Sequence, residues 1–264
     1  MNLPKKELLK GCKDLKGMEG IVAQAEKVLN TWQPIWSEFI PAPLREEALR
    51  KFSTLCELNW HAYGGHPAAE RQRLLCSREE NKTIFQEVEK QAPIAGLLIK
   101  GNFLFDNPTS KDFRASLENM GCPPGELGDI WVIGDRGAQA ICTPEAGVML
   151  HQKIGMIRDV QISFEGVELE QLSLPSKRLS KKLTTIEASL RVDSIASAGF
   201  GLSRGKIVNQ IKAGSLRLNW NPIKQPSQNV EIGDRLQLDG RGTVEVLCFE
   251  TTKRQRWRVE LLRN

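Results

Sequence analysis

Residues 199–214 read GFGLSRGKIVNQIKAG, and this glycine-rich stretch constrains the fold most, because nucleotide loops and tight helical turns share its pattern. A Walker loop has four residues between its two glycines and a Ser or Thr after its lysine. Here three residues separate the two glycines before Lys206, and Ile207 follows it. The Rossmann fingerprint also fails, since Arg204 stands where its third glycine belongs. A nucleotide loop is therefore disfavoured.

The residues before this stretch predict a short helix instead. Within ASLRVDSIASAG the apolar residues Leu190, Ile195 and Ala198, with Val192 nearby, fall on one helical face. Gly199 is expected to end that helix, because glycine adopts the left-handed conformation without strain.

A second helix is predicted after the turn. Ser203 is expected to cap it, its hydroxyl oxygen accepting a hydrogen bond from a free first-turn amide. The two faces of this helix would differ in polarity, with Ile207, Val208 and Ile211 on one and Lys206, Asn209 and Gln210 on the other. Gly214 ends the helix, and two strand-like pieces, SLRLNW and RLQLDG, follow.

Charge is distributed unevenly along the chain. Residues 171–264 contain 17 Lys and Arg against 8 Asp and Glu, a net charge of +9, whereas the whole chain has 37 against 32. Residues 1–170 are left with 20 against 24, a net charge of −4. A basic last third is typical of a protein that binds a polyanion, either nucleic acid or an acidic membrane surface. A solvated basic face without a partner is the alternative.

Composition excludes several classes of protein. No run of residues approaches the length of a membrane span. The start, MNLPKKELLKGCKDLKG, lacks the apolar region of a secretory signal, so a cytoplasmic protein is expected. The six cysteines form no C-x-x-C pair, which predicts reduced, mostly buried thiols. No cofactor is expected.

Residues 93–166 alternate between strand and helix signals. AGLLIK precedes SKDFRASLENMG, a helix that Ser110 would cap and Gly121 would stop. DIWVI and AQAICT flank a turn at residues 134–137, Pro144 opens PEAGVMLHQKIG, and DVQISFEG alternates like a strand. The order βαββαβ is that of the split ferredoxin-like fold, which RRM domains also use. Since AGLLIK and AQAICT offer no aromatic residue, base stacking of the RRM kind is not expected.

The predicted fold class is therefore α+β, in three parts. Residues 1–90 form a mainly helical N-terminal domain, because apolar positions recur three and four apart in EGIVAQAEKVLNTWQPIW and PLREEALRKFSTLCEL. Residues 91–170 form the RRM-like, ferredoxin-type domain. Residues 171–182 are a linker with a proline and a run of cations. Residues 183–264 form the basic C-terminal domain, which ends in a strand.

The C-terminal domain resembles the S-four RNA-binding domain, named after ribosomal protein S four, in EASLRVDSIASAGFGLSRGKIVNQIKAGSLRLNW and PSQNVEIGDRLQLDGRG. Upstream, GGHPAAERQRLL, ENMGCPPGELGDIWV and GAQAICTPE resemble the YlmH family, which pairs an S-four domain with a central RRM-like domain. The segments EASLR, SAGF and LRLNW are most similar to those of the branch from oxygenic phototrophs, whose members are often labelled photosystem II S-four-domain proteins.

The resemblance implies an RNA-binding protein without catalytic activity. YlmH-like proteins are linked to rescue of stalled large ribosomal subunits, so the implied partner is structured rRNA or tRNA, with no small-molecule substrate. Helix-start amides near the turn would add to the binding by cations. By the same resemblance, the RNA-binding residues are Arg191, Ser203, Arg204, Lys206, Gln210 and Lys212, with Asn219 and Lys224 at the edge.

Two other functions stay open at this point. The similarity to the phototroph branch suggests a photosystem II assembly or membrane-associated protein, whose basic face would bind anionic lipid or an acidic partner. An RNA-modifying enzyme of the pseudouridine synthase kind uses an aspartate in an R-x-D motif, and the triplet Arg191-Val192-Asp193 matches that motif. Because this triplet lies inside the binding domain, Asp193 is expected to pair with a neighbouring cation instead.

Two further patterns have more than one interpretation. Cys56, His61 and His66 are residue types that bind zinc, with Cys76 as a candidate fourth ligand, but buried thiols beside a turn are the simpler interpretation and no metal is expected. The tail TTKRQRWRVELLRN alternates cations with apolar residues. It is interpreted as an edge strand, with a phosphate-binding or base-stacking arm as the alternative.

Overall fold

The computed structural model describes residues 3–78, 85–175 and 180–264, which belong to two compact units, Met1–Pro175 and Ser176–Asn264. Both units combine helices with antiparallel sheets, so the predicted α+β fold class is confirmed. The expected domain boundaries at residues 90 and 170 stay predictions. Part of the expected linker, residues 176–179, lies outside the described residues.

The first unit begins with three helices and a small sheet. The helices are α1 (Lys5–Leu9), α2 (Leu15–Thr31) and α3 (Ala42–Phe52). The strands are β1 (Ile35–Trp36), β2 (Leu58–Tyr63) and β3 (Arg73–Arg78), in the antiparallel order β1-β3-β2. The apolar spacing predicts the helices but not this sheet.

The middle region is a five-stranded antiparallel sheet. Its elements are α4 (Phe85–Lys90), β4 (Ala95–Gly101), α5 (Ser110–Asn119), β5 (Leu127–Val132), β6 (Gly137–Cys142), α6 (Pro144–Leu150), β7 (Ile154–Ile157) and β8 (Val160–Val167). The order across the sheet is β5-β6-β4-β8-β7. Without β7, a strand that the sequence did not reveal, β4 to β8 follow the expected βαββαβ order.

The start of α5 differs from the prediction by one residue. Thr109, not Ser110, is its N-cap. The Asp112 carboxylate reaches back to accept hydrogen bonds from the Thr109 amide at 2.7 Å and from its hydroxyl at 2.8 Å. Gly121, with φ of 89°, follows the end of the helix as predicted.

The second unit packs two helices on a six-stranded antiparallel sheet. Its elements are β9 (Lys181–Glu187), α7 (Val192–Phe200), α8 (Arg204–Lys212), β10 (Leu216–Leu218), β11 (Asn221–Pro222), β12 (Arg235–Leu238), β13 (Gly242–Thr251) and β14 (Trp257–Arg263). The order is β11-β10-β12-β13-β14-β9. The tail forms a strand as predicted, but β14 lies between β13 and β9 and is not an edge strand.

The helix α8 agrees with its prediction. Ser203 caps it, because its hydroxyl accepts a hydrogen bond from the Lys206 amide at 3.4 Å. Ile207 and Ile211 are buried on one face, at the spacing of a helical turn. Gly214, with φ of 70°, follows the end of the helix.

The helix α7 continues past its predicted end. It ends at Phe200, with Gly201, which has a φ of 66°, as its C-cap, and Gly199 lies inside the helix. A Cβ atom at Gly199 would lie 2.6 Å from Cγ1 of Val244 on β13. Glycine is needed at position 199 for close packing of helix on sheet, and not for the turn.

Replacing Gly199 by alanine is expected to lower the free energy of unfolding of the second unit by about 1–3 kcal/mol, since the new Cβ would overlap Val244. Gly205→Ala on α8 is the matched control, because no atom lies within 4 Å of the Cβ position there. That variant is expected to be neutral or stabilising by up to about 1 kcal/mol. Urea denaturation measures the free energy of unfolding of both variants. Equal changes in the two would contradict close packing of Gly199 against Val244.

The six cysteines are free thiols, as predicted, but three rather than most of them are buried. The buried ones are Cys76, Cys122 and Cys142, and Cys56 is exposed. Burial raises the pKa of both Cys76 and Cys142 to about 12, so these two thiols stay protonated at neutral pH.

Candidate nucleic-acid interface

The first turn of α7 is fixed from two sides. Arg191 is its N-cap, and the guanidinium donates to the Asp193 carboxylate through hydrogen bonds of 3.1 and 2.9 Å. Asp193 therefore pairs with a neighbouring cation, as predicted. The amides of Val192 and Asp193 donate to the carbonyls of Gln228 and Pro226 at 2.8 and 3.1 Å. These two helix-start amides are thus occupied and do not serve as the phosphate donors expected from the sequence.

Arg204, the first residue of α8, reaches back to α7. Its guanidinium donates to the Ser194 hydroxyl and lies 3.5 Å from the Glu187 carboxylate at the end of β9. The Ser194 hydroxyl in turn donates to Glu187 at 2.6 Å. Because 54% of the Arg204 side chain is exposed, it retains donors for an external anion. The sequence reveals neither Ser194 nor Glu187 as a partner, since they belong to different elements.

A loop after β11 brings Lys224 to the same end of α7. Two residues beyond Lys224, the carbonyl of Pro226 accepts the hydrogen bond from the Asp193 amide. Further along the loop, Asn229 forms an isolated antiparallel β-bridge with Arg191. Lys224 is exposed. Within residues 180–264 no acidic group lies within ion-pair distance of it, so its charge is available to a ligand.

Two lysines are exposed on α8. Lys206 lies in the first turn, next to the amides of Arg204 and Gly205, which have no carbonyl partner inside the helix. Lys212 lies in the last turn, about 12 Å from Arg204 along the axis at 1.5 Å per residue. Gln210 is half-buried between them. The start of α8 therefore offers both a charge and backbone donors.

Asn219 has a structural role in the turn between β10 and β11. Its side chain donates to Asp234 at 2.7 Å and accepts from the Arg235 amide at 2.9 Å. Asn219 and Trp220 have φ of 48° and 68°, and together they form the two-residue connection. The Asn219 amide group is thus engaged within the domain.

The predicted residues fall into two groups. Arg191, Arg204 and Lys224 surround the first turn of α7, with Ser203 and Lys206 in the adjoining first turn of α8. Gln210, Lys212 and Asn219 lie further along α8 or beyond it. The first group presents cations at adjoining helix starts, an arrangement that suits the phosphates of a nucleic-acid backbone.

Within the middle sheet, the strand β6 has no open face of the kind that base stacking requires. One face packs against α5 and α6. On the other face, Phe39 and Leu172 form a buried cluster with Ile141 of β6, against which Trp131 and Leu169 pack. Every residue of β6 is buried. The strand β6 therefore has no surface for a base, in agreement with its lack of aromatic residues.

The loop GGHPAAER, between β2 and β3, joins segments of the first unit. The amides of Glu70 and Arg71 donate to the Asp129 carboxylate at 2.7 and 2.9 Å. The Arg71 guanidinium donates to three carbonyls at 2.9, 2.9 and 3.0 Å, those of Leu127, Phe39 and Pro124. Burial lowers the pKa of Arg71, and Arg114 adds to the effect. These hydrogen bonds give a structural reason for the residues GGHPAAER, which belong to the YlmH resemblance.

The candidate zinc ligands do not come together. Cys76 lies in the core of the N-terminal region, Cys56 is exposed, and His66 is buried beside Asp129. Among the residues that the structure describes, no group of three or more His, Cys, Asp or Glu side chains could hold a metal ion. The zinc interpretation has no structural support.

The second unit places a helix–turn–helix on an antiparallel sheet, with cations at two helix starts, and this arrangement is the one expected from the S-four resemblance. A family model described as S4 domain matches residues 190–236. A second model, described as YlmH, N-terminal, matches residues 14–81. The chain therefore carries a YlmH N-terminal domain and an S-four domain.

Two known proteins are similar to this chain. The ribosome-associated protein quality control protein P2 of Bacillus subtilis (strain 168) is 25% identical over 197 residues, which are 74% of each chain. The structure of the cell division protein ylmH from Streptococcus pneumoniae is 19% identical, with a TM-score of 0.44 over 59% of this chain and 89% of that chain. The descriptions of these models and proteins name neither a photosystem, nor tRNA, nor an RRM-like domain, nor a phototroph.

Proposed function

We propose that this protein binds structured ribosomal RNA through its S-four domain and acts as a ribosome-associated factor in the cytoplasm. The observation that carries the proposal is the cluster of cations at the adjoining starts of α7 and α8, formed by Arg191, Arg204, Lys206 and Lys224. Phosphate contacts supply most of the sequence-independent affinity for nucleic acid. The domain would recognise mainly the shape and backbone of A-form RNA.

The comparisons support this proposal at two levels. The S4 match supports RNA as the ligand. The name of the Bacillus subtilis relative supports the ribosome, in protein quality control, as the place of action.

The proposed action is binding without catalysis. Asp193, the aspartate of the R-x-D triplet, accepts hydrogen bonds from Nε and Nη2 of Arg191, and its side chain is only 10% exposed. A carboxylate in this position is poorly placed to attack a base. Mass spectrometry of RNA nucleosides from a deletion strain checks the point, and we expect no altered nucleoside.

Sedimentation of the tagged full chain on a sucrose gradient tests the proposed function against membrane association. In the described ranges no helix has the length and apolarity of a membrane span. We expect the protein to comigrate with large ribosomal subunits at low salt and to leave them at high salt. Comigration with membranes, with no protein in the ribosomal fractions, would contradict the proposal.

A further inference from the structure

The turn that joins β13 and β14, residues 252–256, carries three cations within four positions. We refer to these five residues, TKRQR, as the β13–β14 tip. Lys253, Arg254 and Arg256 are all exposed. In the described part of the chain, none of the three has an acidic group within ion-pair distance.

Other arginines of the second unit are partly neutralised by acids. The pairs are Arg191 with Asp193, Arg204 with Glu187, Arg217 with Asp239 and Arg235 with Glu245. Two of these four arginines belong to the residues that the S-four resemblance singles out. The β13–β14 tip is therefore a denser source of free positive charge than either helix start.

The β13–β14 tip is an ordered turn. The Thr252 amide donates to the Arg256 carbonyl at 2.7 Å, and the Thr252 hydroxyl accepts from the Arg256 amide at 3.1 Å. Gln255 has a φ of 53° inside the turn. At its base, the rings of Phe249 and Trp257 meet edge to face with centroids 5.4 Å apart. Such a turn fixes the backbone from which the cations project before a ligand arrives, which reduces the backbone entropy lost on binding.

The register of the sheet places the tip near the start of α7. Trp257, the residue after the tip, lies opposite Glu187 in the β14–β9 pair. Glu187 accepts the hydrogen bond from Ser194 in the first turn of α7 and pairs with Arg204. The tip therefore extends from the same end of the sheet as the two helix starts.

We propose that the β13–β14 tip is a second phosphate-binding element, which contacts the RNA backbone alongside the starts of α7 and α8. This inference rests on the proposed RNA-binding function and extends it beyond residues 190–236, the part that the S4 model matches. Arg254 and Arg256 supply planar donors that fit phosphate oxygens in pairs, and Lys253 supplies a point charge.

The chemistry of the tip favours a phosphate backbone over a bilayer. Residues 252–256 contain no apolar side chain, and Trp257 is half-buried. Segments that lie in a membrane interface combine their cations with exposed Trp, Phe or Leu side chains. The tip lacks such an anchor.

The test compares two triple variants with the same change of charge. The first neutralises the tip and consists of Lys253→Gln, Arg254→Gln and Arg256→Gln. The matched control neutralises the other end of the same strands and consists of Lys181→Gln, Arg241→Gln and Arg263→Gln. The two ends of β14 lie about 20 Å apart at 3.4 Å per residue, which exceeds the screening length of about 10 Å at 0.1 M salt.

Binding of each full chain to purified bacterial large ribosomal subunits is measured by filter binding between about 50 and 200 mM salt. The tip variant is expected to reduce the slope of log K against log salt concentration by about two to three, because three phosphate contacts are lost. The control variant is expected to reduce it by less than about one. A tip variant with the wild-type slope, or with the slope of the control, would overturn the inference.

Failure of this inference can be told apart from failure of the proposed function. If the wild-type chain does not bind the subunits, both fail. If the wild-type chain binds and Lys206→Ala weakens binding while the tip variant does not, only the inference fails. Flotation with phosphatidylglycerol vesicles forms a second arm, in which loss of vesicle binding in the tip variant with intact subunit binding would also overturn it.

Discussion

Replacing Arg71 by methionine is expected to lower the free energy of unfolding of the first unit by about 3–5 kcal/mol. The guanidinium donates to three carbonyls, and methionine fills a similar volume without a donor. Two of these carbonyls belong to buried residues, Leu127 and Phe39, so their lost hydrogen bonds are poorly replaced by water. Urea denaturation followed by tryptophan fluorescence measures the change.

Two further variants separate this effect from the loss of a positive charge. Arg50→Met removes an exposed arginine of α3 and is expected to change stability by less than about 0.5 kcal/mol. Arg71→Lys is expected to recover less than half of the loss, because one ammonium group does not reproduce the planar fork of donors. An Arg71→Met variant within about 1 kcal/mol of the wild type would contradict the structural role of the GGHPAAER loop.

Replacing Lys206 and Lys224 together by alanine is expected to weaken binding to large ribosomal subunits roughly a hundredfold, at about 1.5 kcal/mol for each charged hydrogen bond to phosphate. The slope of log K against log salt concentration should fall by about two. Both lysines are exposed, so the fold should persist. Arg204 is less suitable for this test, because it also holds Ser194 and Glu187.

The matched control for the two lysines is Lys181→Ala with Arg263→Ala. These residues lie opposite each other in the β14–β9 pair, at the end of the sheet away from Glu187. We expect less than about a threefold loss of affinity from this pair, as screening predicts for distant charges. Equal losses in the two double variants would show that binding depends on net charge alone and would contradict a defined interface.

Local patterns predict the helices of the second unit well. Ser203 caps α8, and Ile207 and Ile211 are buried, because a cap and an apolar face are properties of neighbouring residues. The local pattern places Gly199 in the turn and misses its packing role, because the contact with Val244 joins positions 45 residues apart in sequence. The inner position of β14 is missed for the same reason, because it depends on pairing with β9, a strand that is distant in sequence.

The partners of the candidate RNA-binding residues were harder to predict. The resemblance indicates Arg204 but not its contacts with Ser194 and Glu187, which come from α7 and β9. Asn219 occurs in the resembling stretch, yet the structure shows its side chain engaged with Asp234. Sequence identifies the residue types at such a surface, whereas tertiary packing decides which of them remain available to a ligand.

The most direct test is ultraviolet crosslinking of the full chain to bacterial large ribosomal subunits, followed by mass spectrometry of the crosslinked peptides. It shows whether RNA contacts the starts of α7 and α8 and the β13–β14 tip. We expect crosslinks in peptides that contain residues 191–212, 224–229 and 252–257, and we expect them to weaken in the Lys206 and Lys224 double variant. Crosslinks confined to peptides from residues 3–175 would contradict the account.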